Sequence, residues 1–201
     1  EPPPKTNLID RYIVSSLVGG ITPVICMNKM DLDVNGYAAS LLDRYARLGY
    51  RTLRTSVSDG RGIDDLRDVL RNKESVVAGQ SGVGKSSLLN ALQPGLALRI
   101  GAMIEKFDKG RHTTTTSSLL RLDFGGYVVD TPGIRSFDVS DVPRQQLEAY
   151  FVEFVPFLPD CKFPDCTHTH ETDCRVKDAV DRGEIHPDRY DSYVRLFTEP
   201  A

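Results

Sequence analysis

Residues 79–87 decide the fold, and they read Gly79-Gln80-Ser81-Gly82-Val83-Gly84-Lys85-Ser86-Ser87. This stretch matches G-x-x-x-x-G-K-[ST], the pattern of a phosphate-binding loop (P-loop). The apolar run 75–78 before it predicts a buried strand, and 87–92 after it predicts a helix. In such a loop, backbone N–H groups and the helix N-terminus hold phosphates, Lys85 reaches the outer phosphates, and the Ser86 hydroxyl ligates Mg²⁺. A glycine-rich turn without a ligand is the alternative, and the strand–loop–helix context argues against it.

A second motif specifies the base. The predicted strand 23–27 is followed by Asn28-Lys29-Met30-Asp31, an NKxD sequence. The aspartate of this motif accepts hydrogen bonds from guanine N1–H and the exocyclic amine, which adenine does not offer in that arrangement. Ser56 and Val57 stand where a guanine-supporting loop is expected, after the predicted strand 50–55. An ordinary loop would also fit NKxD taken alone, but together with the P-loop it predicts GTP or GDP.

A hydroxyl-rich segment, 110–116, contains Arg111, His112 and four consecutive threonines. Switch loops of GTPases use a threonine to complete Mg²⁺ coordination and to sense the γ-phosphate. We assign that role to Thr114, with the threonines at 113 and 115 as alternatives. The start of the predicted strand 117–124 is the competing interpretation of the threonine run.

The next motif is Asp130-Thr131-Pro132-Gly133, a DxxG sequence at the end of the predicted strand 127–129. We expect Asp130 to contact Mg²⁺ through water and the Gly133 N–H to bind the γ-phosphate. Asp-Thr-Pro-Gly also forms ordinary turns. The P-loop and NKxD motifs favour the functional interpretation.

The order of these motifs differs from that of Ras-like GTPases, which run P-loop, switch threonine, DxxG and NKxD. Here NKxD stands first, at 28–31, and DxxG stands last, at 130–133. The fold class that we predict is therefore α/β, a circularly permuted Ras-like P-loop GTPase domain in which the same parallel sheet is cut between DxxG and NKxD. The segment after DxxG then continues directly into the C-terminal region.

Composition and charge suggest two parts. The chain has 201 residues and a net charge of −3, with 18 basic and 15 acidic side chains in 1–140 but 7 and 13 in 141–201. We predict a GTPase domain at 1–140 and a small C-terminal domain at 141–201. Since no apolar run approaches a membrane span and no signal peptide opens the chain, we expect a cytoplasmic protein. The opening Glu-Pro-Pro-Pro is typical of a linker in a longer protein.

A cysteine cluster marks the C-terminal part: Cys161-x4-Cys166-x-His168-x5-Cys174. Three thiolates and an imidazole make a tetrahedral set for Zn²⁺, and four protein ligands predict a structural rather than a catalytic site. His170 is a rival ligand. We expect a mainly helical domain, with helices near 145–154, 176–182 and 187–196 packed on the metal.

The sequence closely resembles the family of small ribosomal subunit-dependent GTPases (RsgA/YjeQ). The resemblance rests on 8–12, NKxD, 79–90, 110–115, 130–135 and the cysteine cluster. It implies zinc with His168 as the ligand, and a late factor in small-subunit maturation whose GTPase the subunit stimulates. It also implies an N-terminal OB-fold that helps to bind ribosomal RNA and that is not in this sequence. We expect the small subunit and its rRNA as partners, no membrane, and a monomer.

The residue after Gly133 is Ile134, where Ras-like enzymes use a glutamine to orient the attacking water. Intrinsic hydrolysis should therefore be slow. The resemblance implies that His112 positions the water instead, and a loop histidine that contacts only RNA or solvent is the alternative. A second hypothesis is a GTP-dependent, ribosome-binding assembly switch whose own hydrolysis is incidental.

Overall fold

The structure is a computed structural model, and it describes residues 3–96, 118–130 and 144–199. The chain divides into two compact units. The first, called here the P-loop unit, contains Val24–Ser136 together with Glu1–Pro3. The second, called here the cysteine unit, contains Pro4–Pro23 and Phe137–Ala201.

Helices and strands alternate through the P-loop unit, whereas the cysteine unit is helical in the described residues. In chain order the elements are α1 (Thr6–Val18), β1 (Val24–Met27), α2 (Tyr37–Arg47), β2 (Arg51–Arg54), α3 (Ile63–Leu70), β3 (Glu74–Val76), α4 (Lys85–Leu92), β4 (Ser118–Arg121), β5 (Tyr127–Asp130), α5 (Arg175–Asp181) and α6 (Pro187–Thr198). Short 3₁₀ helices span Met30–Leu32, Arg144–Tyr150 and Val155–Asp160. Among these helices, none is both long and apolar enough to cross a membrane.

The strands of the P-loop unit form two sheets in the described residues. β1 pairs in parallel with β2, and β3 pairs in parallel with β5. β4 pairs with β5 in the antiparallel direction, so this sheet is mixed rather than parallel throughout. The reason is the connection, because the chain leaves β4 at Arg121 and enters β5 at Tyr127, which is too short for a crossover between parallel strands.

The turn between β4 and β5 requires glycine. Gly126 has φ +95°, and a Cβ atom there would lie 2.6 Å from the Leu70 carbonyl oxygen. The neighbouring Gly125 carbonyl accepts a hydrogen bond of 3.1 Å from the Asn72 N–H. Any side chain at 126 would therefore force the hairpin away from the segment that leads into β3.

The helices of the P-loop unit bury one apolar face. In α2 the buried side chains are Leu41, Leu42 and Tyr45, at the spacing of one helical face. Asp33 caps this helix, since its two carboxylate oxygens accept the N–H groups of Ala38 and Ala39 at 3.0 and 2.9 Å. A second buried cluster joins α3, α4 and the hairpin; its members are Leu70, Leu89, Leu92, Leu96, Leu122 and Val128.

The cysteine unit includes the first helix of the chain. The sequence-based boundary at 140 assigns α1 to the GTPase domain, whereas in the structure α1 packs in the cysteine unit, against α6 and the 3₁₀ helix Arg144–Tyr150. Ile13 and Val14 are the buried apolar residues of α1, and Val14 belongs to the core of this unit. The boundary therefore differs because side chains at opposite ends of the chain form one core.

The predicted helix at 145–154 is instead a 3₁₀ helix, Arg144–Tyr150, followed by a second one, Val155–Asp160. Pro156 and Pro159 lie in the second segment, where each removes a backbone donor and disfavours a continuous α-helix. Phe151 and Phe154, between the two segments, are fully buried. Their rings pack on Tyr193 of α6 at centroid distances of 5.3 and 5.0 Å, which makes an aromatic centre for the unit.

A buried charge cluster ties α1 to the rest of the cysteine unit. The guanidinium of Arg189 on α6 donates to both carboxylate oxygens of Glu153 and to Asp10 of α1. Side-chain exposure is 1% for Arg189, 0% for Asp10 and 7% for Glu153. The guanidinium also lies over the Phe151 ring, 4.7 Å from its centroid. One buried cation therefore serves two carboxylates.

We predict that Arg189→Met destabilises the cysteine unit by about 3–5 kcal/mol, because it leaves Asp10 and Glu153 buried without their cation. The matched control is Arg195→Met, on the exposed side of the same helix, which should change the free energy of unfolding by less than about 1 kcal/mol. Urea denaturation followed by circular dichroism measures both. Equal losses in the two variants would contradict the importance of the cluster.

Candidate nucleotide and metal sites

The P-loop connects β3 to α4. Gly84, immediately before the helix, has φ +93°, a conformation that favours glycine. The Lys85 ammonium folds back over the loop and donates to the carbonyls of Gly79 and Gln80 at 2.5 and 2.7 Å. Burial lowers the pKa of Lys85. The acceptors that hold the lysine are neutral carbonyl groups. Charged phosphate oxygens are stronger acceptors and would replace them.

The remaining loop residues leave the N-terminus of α4 accessible to solvent. Ser81 and Gly82 are exposed at the tip of the loop, and Val83 is half-buried beneath it. Ser86 and Ser87 lie exposed in the first turn of α4. The helix N-terminus and the Ser86 hydroxyl therefore meet solvent at the place where the sequence predicts phosphates and Mg²⁺.

Two side chains of the NKxD motif donate hydrogen bonds to the P-loop. The Asn28 amide donates to the Val83 carbonyl at 3.0 Å, and the Lys29 ammonium donates to the Gly82 carbonyl at 2.8 Å. Lys29 adopts φ +62°, in the left-handed region, which is uncommon for a residue other than glycine. The structure thus brings together the two motifs on which the nucleotide prediction depends.

Their contact explains why glycine occupies position 84. A Cβ atom on Gly84 would lie 2.3 Å from the Asn28 amide nitrogen. A side chain there would displace the Asn28 amide from the Val83 carbonyl. The glycine of the P-loop pattern therefore serves two purposes in this chain, the left-handed turn and the approach of the second motif.

The sequence reasoning missed Thr55, the fully buried residue that supports Asn28. Its hydroxyl lies 3.3 Å from both the Asn28 amide oxygen and the Met27 carbonyl oxygen. Its backbone N–H donates to the same Met27 carbonyl at 2.8 Å. The residue adjoins the predicted Ser56–Val57 pair, so its position was available as a signal, but nothing in the sequence distinguishes it from an ordinary strand threonine.

Asp31 is held by hydroxyl groups. The Ser56 hydroxyl donates to the Asp31 carboxylate at 2.6 Å, and the Ser58 hydroxyl lies 2.9 Å from that of Ser56. Hydrogen bonds from Ser56 and then Ser58 lower the pKa of Asp31, which keeps it ionised and able to accept two base N–H groups. Val57 is 39% exposed beside this carboxylate, so it is accessible to a base.

The DxxG motif begins at the carboxyl end of β5. The parallel pairing of Val76 with Val129 brings this end beside the end of β3, from which the P-loop departs. Asp130 is the last residue of β5. His112, Thr114 and Gly133 lie outside the described residues, as do Ile134 and the other switch threonines.

The four predicted metal ligands converge in the cysteine unit. The ligand atoms of Cys161, Cys166, His168 and Cys174 all lie within 4.8 Å of one another. His168 Nδ1 is 3.3 Å from Cys174 Sγ and 3.7 Å from Cys161 Sγ. Zn–S bonds of about 2.3 Å arranged as a tetrahedron separate neighbouring sulfur atoms by about 3.8 Å. The donor set and its spacing fit a structural zinc ion.

Burial opposes ionisation of two of the thiols. Burial raises the pKa of Cys166 to about 12, and burial also raises the pKa of Cys174. Thiolates at such a place need a bound cation to stabilise them. The rival histidine, His170, is 81% exposed, and its Nδ1 lies within reach of the Thr167 and Thr169 hydroxyls rather than in the cluster.

Residues that the sequence reasoning missed hold the loop between Cys166 and Cys174. The phenol hydroxyls of Tyr190 and Tyr193 donate to the carbonyls of His168 and Thr167 at 2.8 and 2.9 Å. The Glu171 carboxylate accepts the N–H groups of Thr167 and Thr169. Although burial opposes its ionisation, the hydrogen bond from the Thr167 hydroxyl and those from the backbone N–H groups lower the pKa of Glu171 to about 2. The loop is therefore ordered by protein contacts as well as by its cysteines.

Comparison with known families gives a direct match. The family model described as RsgA GTPase matches residues 1–140. Proteins named small ribosomal subunit biogenesis GTPase RsgA are similar over nearly the whole chain. That of Caldanaerobacter subterraneus subsp. tengcongensis is 43% identical and that of Thermotoga petrophila 46%, each covering 98% of this chain. The chain spans 67% of the length of both and 57% of the relative from Chromohalobacter salexigens.

Solved structures agree. YjeQ from Thermotoga maritima matches with a TM-score of 0.81 at 42% identity, covering 98% of this chain and 66% of its own. YloQ, described as a circularly permuted GTPase, matches with a TM-score of 0.74 at 32% identity over 100% of this chain and 66% of its own. The permutation predicted from the motif order is thereby confirmed. The chain belongs to the RsgA GTPase family, a family of hydrolases acting on GTP whose fold is circularly permuted.

Proposed function

We propose that this chain binds GTP with Mg²⁺ and hydrolyses it during maturation of the small ribosomal subunit. The subunit stimulates GTP turnover by the chain. The observation that carries the proposal is the contact of Asn28 and Lys29 with the P-loop, because it joins base recognition to phosphate binding. The names of the relatives supply the ribosomal context. The proposal also assigns the protein to the cytoplasm, with rRNA of the subunit as a partner and a monomeric state.

At the nucleotide, each motif has a separate task. Asp31, ionised and oriented by Ser56, would accept the guanine N1–H and amine groups. Lys85 would exchange its carbonyl partners for the outer phosphates, and the N–H groups of residues 81–87 would cradle the inner ones. Mg²⁺ supplies charge neutralisation at the phosphates when bound. Ser86 and Thr114 would hold it directly, and Asp130 would do so through water.

For catalysis, Ile134 offers no polar group to orient water. We assign water positioning to His112, from the resemblance to the family, and γ-phosphate sensing to the Gly133 N–H. Lys85 and Thr114 would stabilise the charge that develops on the phosphates.

In the cysteine unit we propose a structural Zn²⁺ held by Cys161, Cys166, His168 and Cys174. The support is the Cys3His donor set and the distances among its ligand atoms, which all lie within 4.8 Å of one another. Such a site stabilises a small unit whose apolar core alone is modest. The unit would then serve as a docking element.

Base specificity is testable with Asp31→Asn. We expect GTP affinity to fall about 10–100-fold and xanthosine triphosphate affinity to rise, since the new amide matches xanthine rather than guanine. Asp33→Asn is the matched control, because Asp33 caps α2 and an asparagine retains a capping oxygen. Titration calorimetry with both nucleotides measures the ratio. An unchanged GTP preference in Asp31→Asn would refute the assignment of Asp31.

The ribosomal role is testable by GTP turnover with and without purified small subunits. We expect slow intrinsic turnover, on the order of 10⁻⁴–10⁻² s⁻¹, and a clear increase when subunits are added. His112→Ala should lower the stimulated rate by about 100-fold while GTP binding is retained. A rate indifferent to subunits would favour the assembly switch with incidental hydrolysis, and a fully stimulated His112→Ala would remove His112 from catalysis.

The zinc proposal distinguishes two neighbouring histidines. His168→Ala should weaken zinc binding about 100-fold or more, because it removes a ligand from a closed tetrahedral site. His170→Ala should retain a full complement of zinc, since His170 points away from the cluster. Elemental analysis and chelator competition report both. Loss of zinc in His170→Ala but not in His168→Ala would reverse the assignment.

A further inference from the structure

The imidazole of His168 has a partner on its far side. While Nδ1 faces the sulfur atoms of Cys161 and Cys174, Nε2 lies 2.8 Å from a carboxylate oxygen of Glu148. The histidine side chain is 2% exposed and that of Glu148 is 27% exposed. The ring therefore bridges the cysteine cluster and the 3₁₀ helix Arg144–Tyr150, on which Glu148 lies.

This arrangement determines which nitrogen carries the proton. An ionised carboxylate accepts hydrogen bonds and donates none, so the 2.8 Å contact requires an N–H on Nε2. A neutral imidazole has a single N–H, which leaves the lone pair on Nδ1. That lone pair is on the nitrogen that faces the sulfur atoms of Cys161 and Cys174, and a metal ligand must present one there.

The orientation of the ring is constrained by the same contact. His168 has φ +58°, and its carbonyl accepts from the Tyr190 hydroxyl, so the backbone is fixed on one side. Phe154 and Tyr193 pack at centroid distances of 6.3 and 6.1 Å from the imidazole. These apolar rings limit tilting of the imidazole but offer no preference between its two nitrogens, so the choice falls to Glu148.

We propose that Glu148 is a positioning residue for the metal: it selects the Nε2–H tautomer of His168 and aims Nδ1 at the zinc ion. The proposal rests on the zinc site proposed above and adds a residue outside its four ligands. Carboxylate partners of ligating histidines raise ligand basicity, and their loss costs about 10–100-fold in metal affinity.

The proposal also links the metal to the chain segment after the second switch. The 3₁₀ helix Arg144–Tyr150 is the first described element after the DxxG motif. Leu147, beside Glu148, is buried in the core of the cysteine unit. Through the hydrogen bond between Glu148 and His168, bound zinc would help to hold this helix in position. By the same coupling, the position of the helix would affect zinc affinity.

The test is zinc affinity of the full chain, measured by chelator competition, with Co²⁺ absorption as a report on ligand geometry. Glu148→Ala should weaken zinc binding about 10–100-fold. Glu148→Gln retains an acceptor oxygen without the charge, so it should recover most of the loss. The matched control is Gln146→Ala, an exposed residue of the same helix, which should stay within about twofold of the wild type.

A double-mutant cycle separates positioning from general support of the fold. In a His168→Cys background the ligand has no second nitrogen, so Glu148→Ala should then have little effect on zinc affinity. The proposal would be overturned if Glu148→Ala kept wild-type zinc affinity, or if it lost the same affinity in the wild-type and His168→Cys backgrounds. If the His168→Cys variant does not bind zinc, a Glu148→Gln variant that recovers none of the lost affinity would overturn the proposal. A wild-type chain that binds no zinc would overturn the zinc site itself, which is a distinguishable result.

Discussion

The candidate nucleotide site depends on two hydrogen bonds between its motifs. Asn28 donates one to the Val83 carbonyl, and Lys29 donates the other to the Gly82 carbonyl. The described strands form two separate sheets, β1–β2 carrying the base-recognition motif and β3–β5–β4 carrying the phosphate motifs. No backbone ladder joins the two sheets in the described residues, and these side-chain hydrogen bonds link the motifs that the two sheets carry. Gly84 makes the contact possible, because any Cβ there would meet the Asn28 amide.

Local patterns were enough to predict the strands and the helix that carry these motifs. The P-loop, NKxD and the cysteine spacing are short motifs in which the chemistry dictates the residue types, and the flanking apolar runs identify β1, β3 and α4 within one or two residues. Their order along the chain was enough to predict the permutation. These inferences succeed because each depends on residues that are neighbours in sequence.

Packing between residues that are distant in the chain was not predicted. The placement of α1 in the cysteine unit is decided by Asp10 and Arg189, which are 179 positions apart, and neither lies in a recognisable motif. Thr55 and Glu148 were not predicted for the same reason. Each lies within hydrogen-bond distance of a motif residue that is distant in the chain, Asn28 for Thr55 and His168 for Glu148. The predicted helix at 145–154 failed differently, because apolar periodicity does not distinguish α from 3₁₀ geometry where prolines follow.

The composition of the cysteine unit follows from the permutation. Cutting a GTPase between DxxG and NKxD leaves two loose ends, one before β1 and one after β5, and both continue into the same unit. A unit that holds both ends must specify their pairing as well as be stable. The apolar core around Tyr193 includes Val14 of α1. Arg189 favours the observed placement of α1, because Asp10 of that helix meets the guanidinium there.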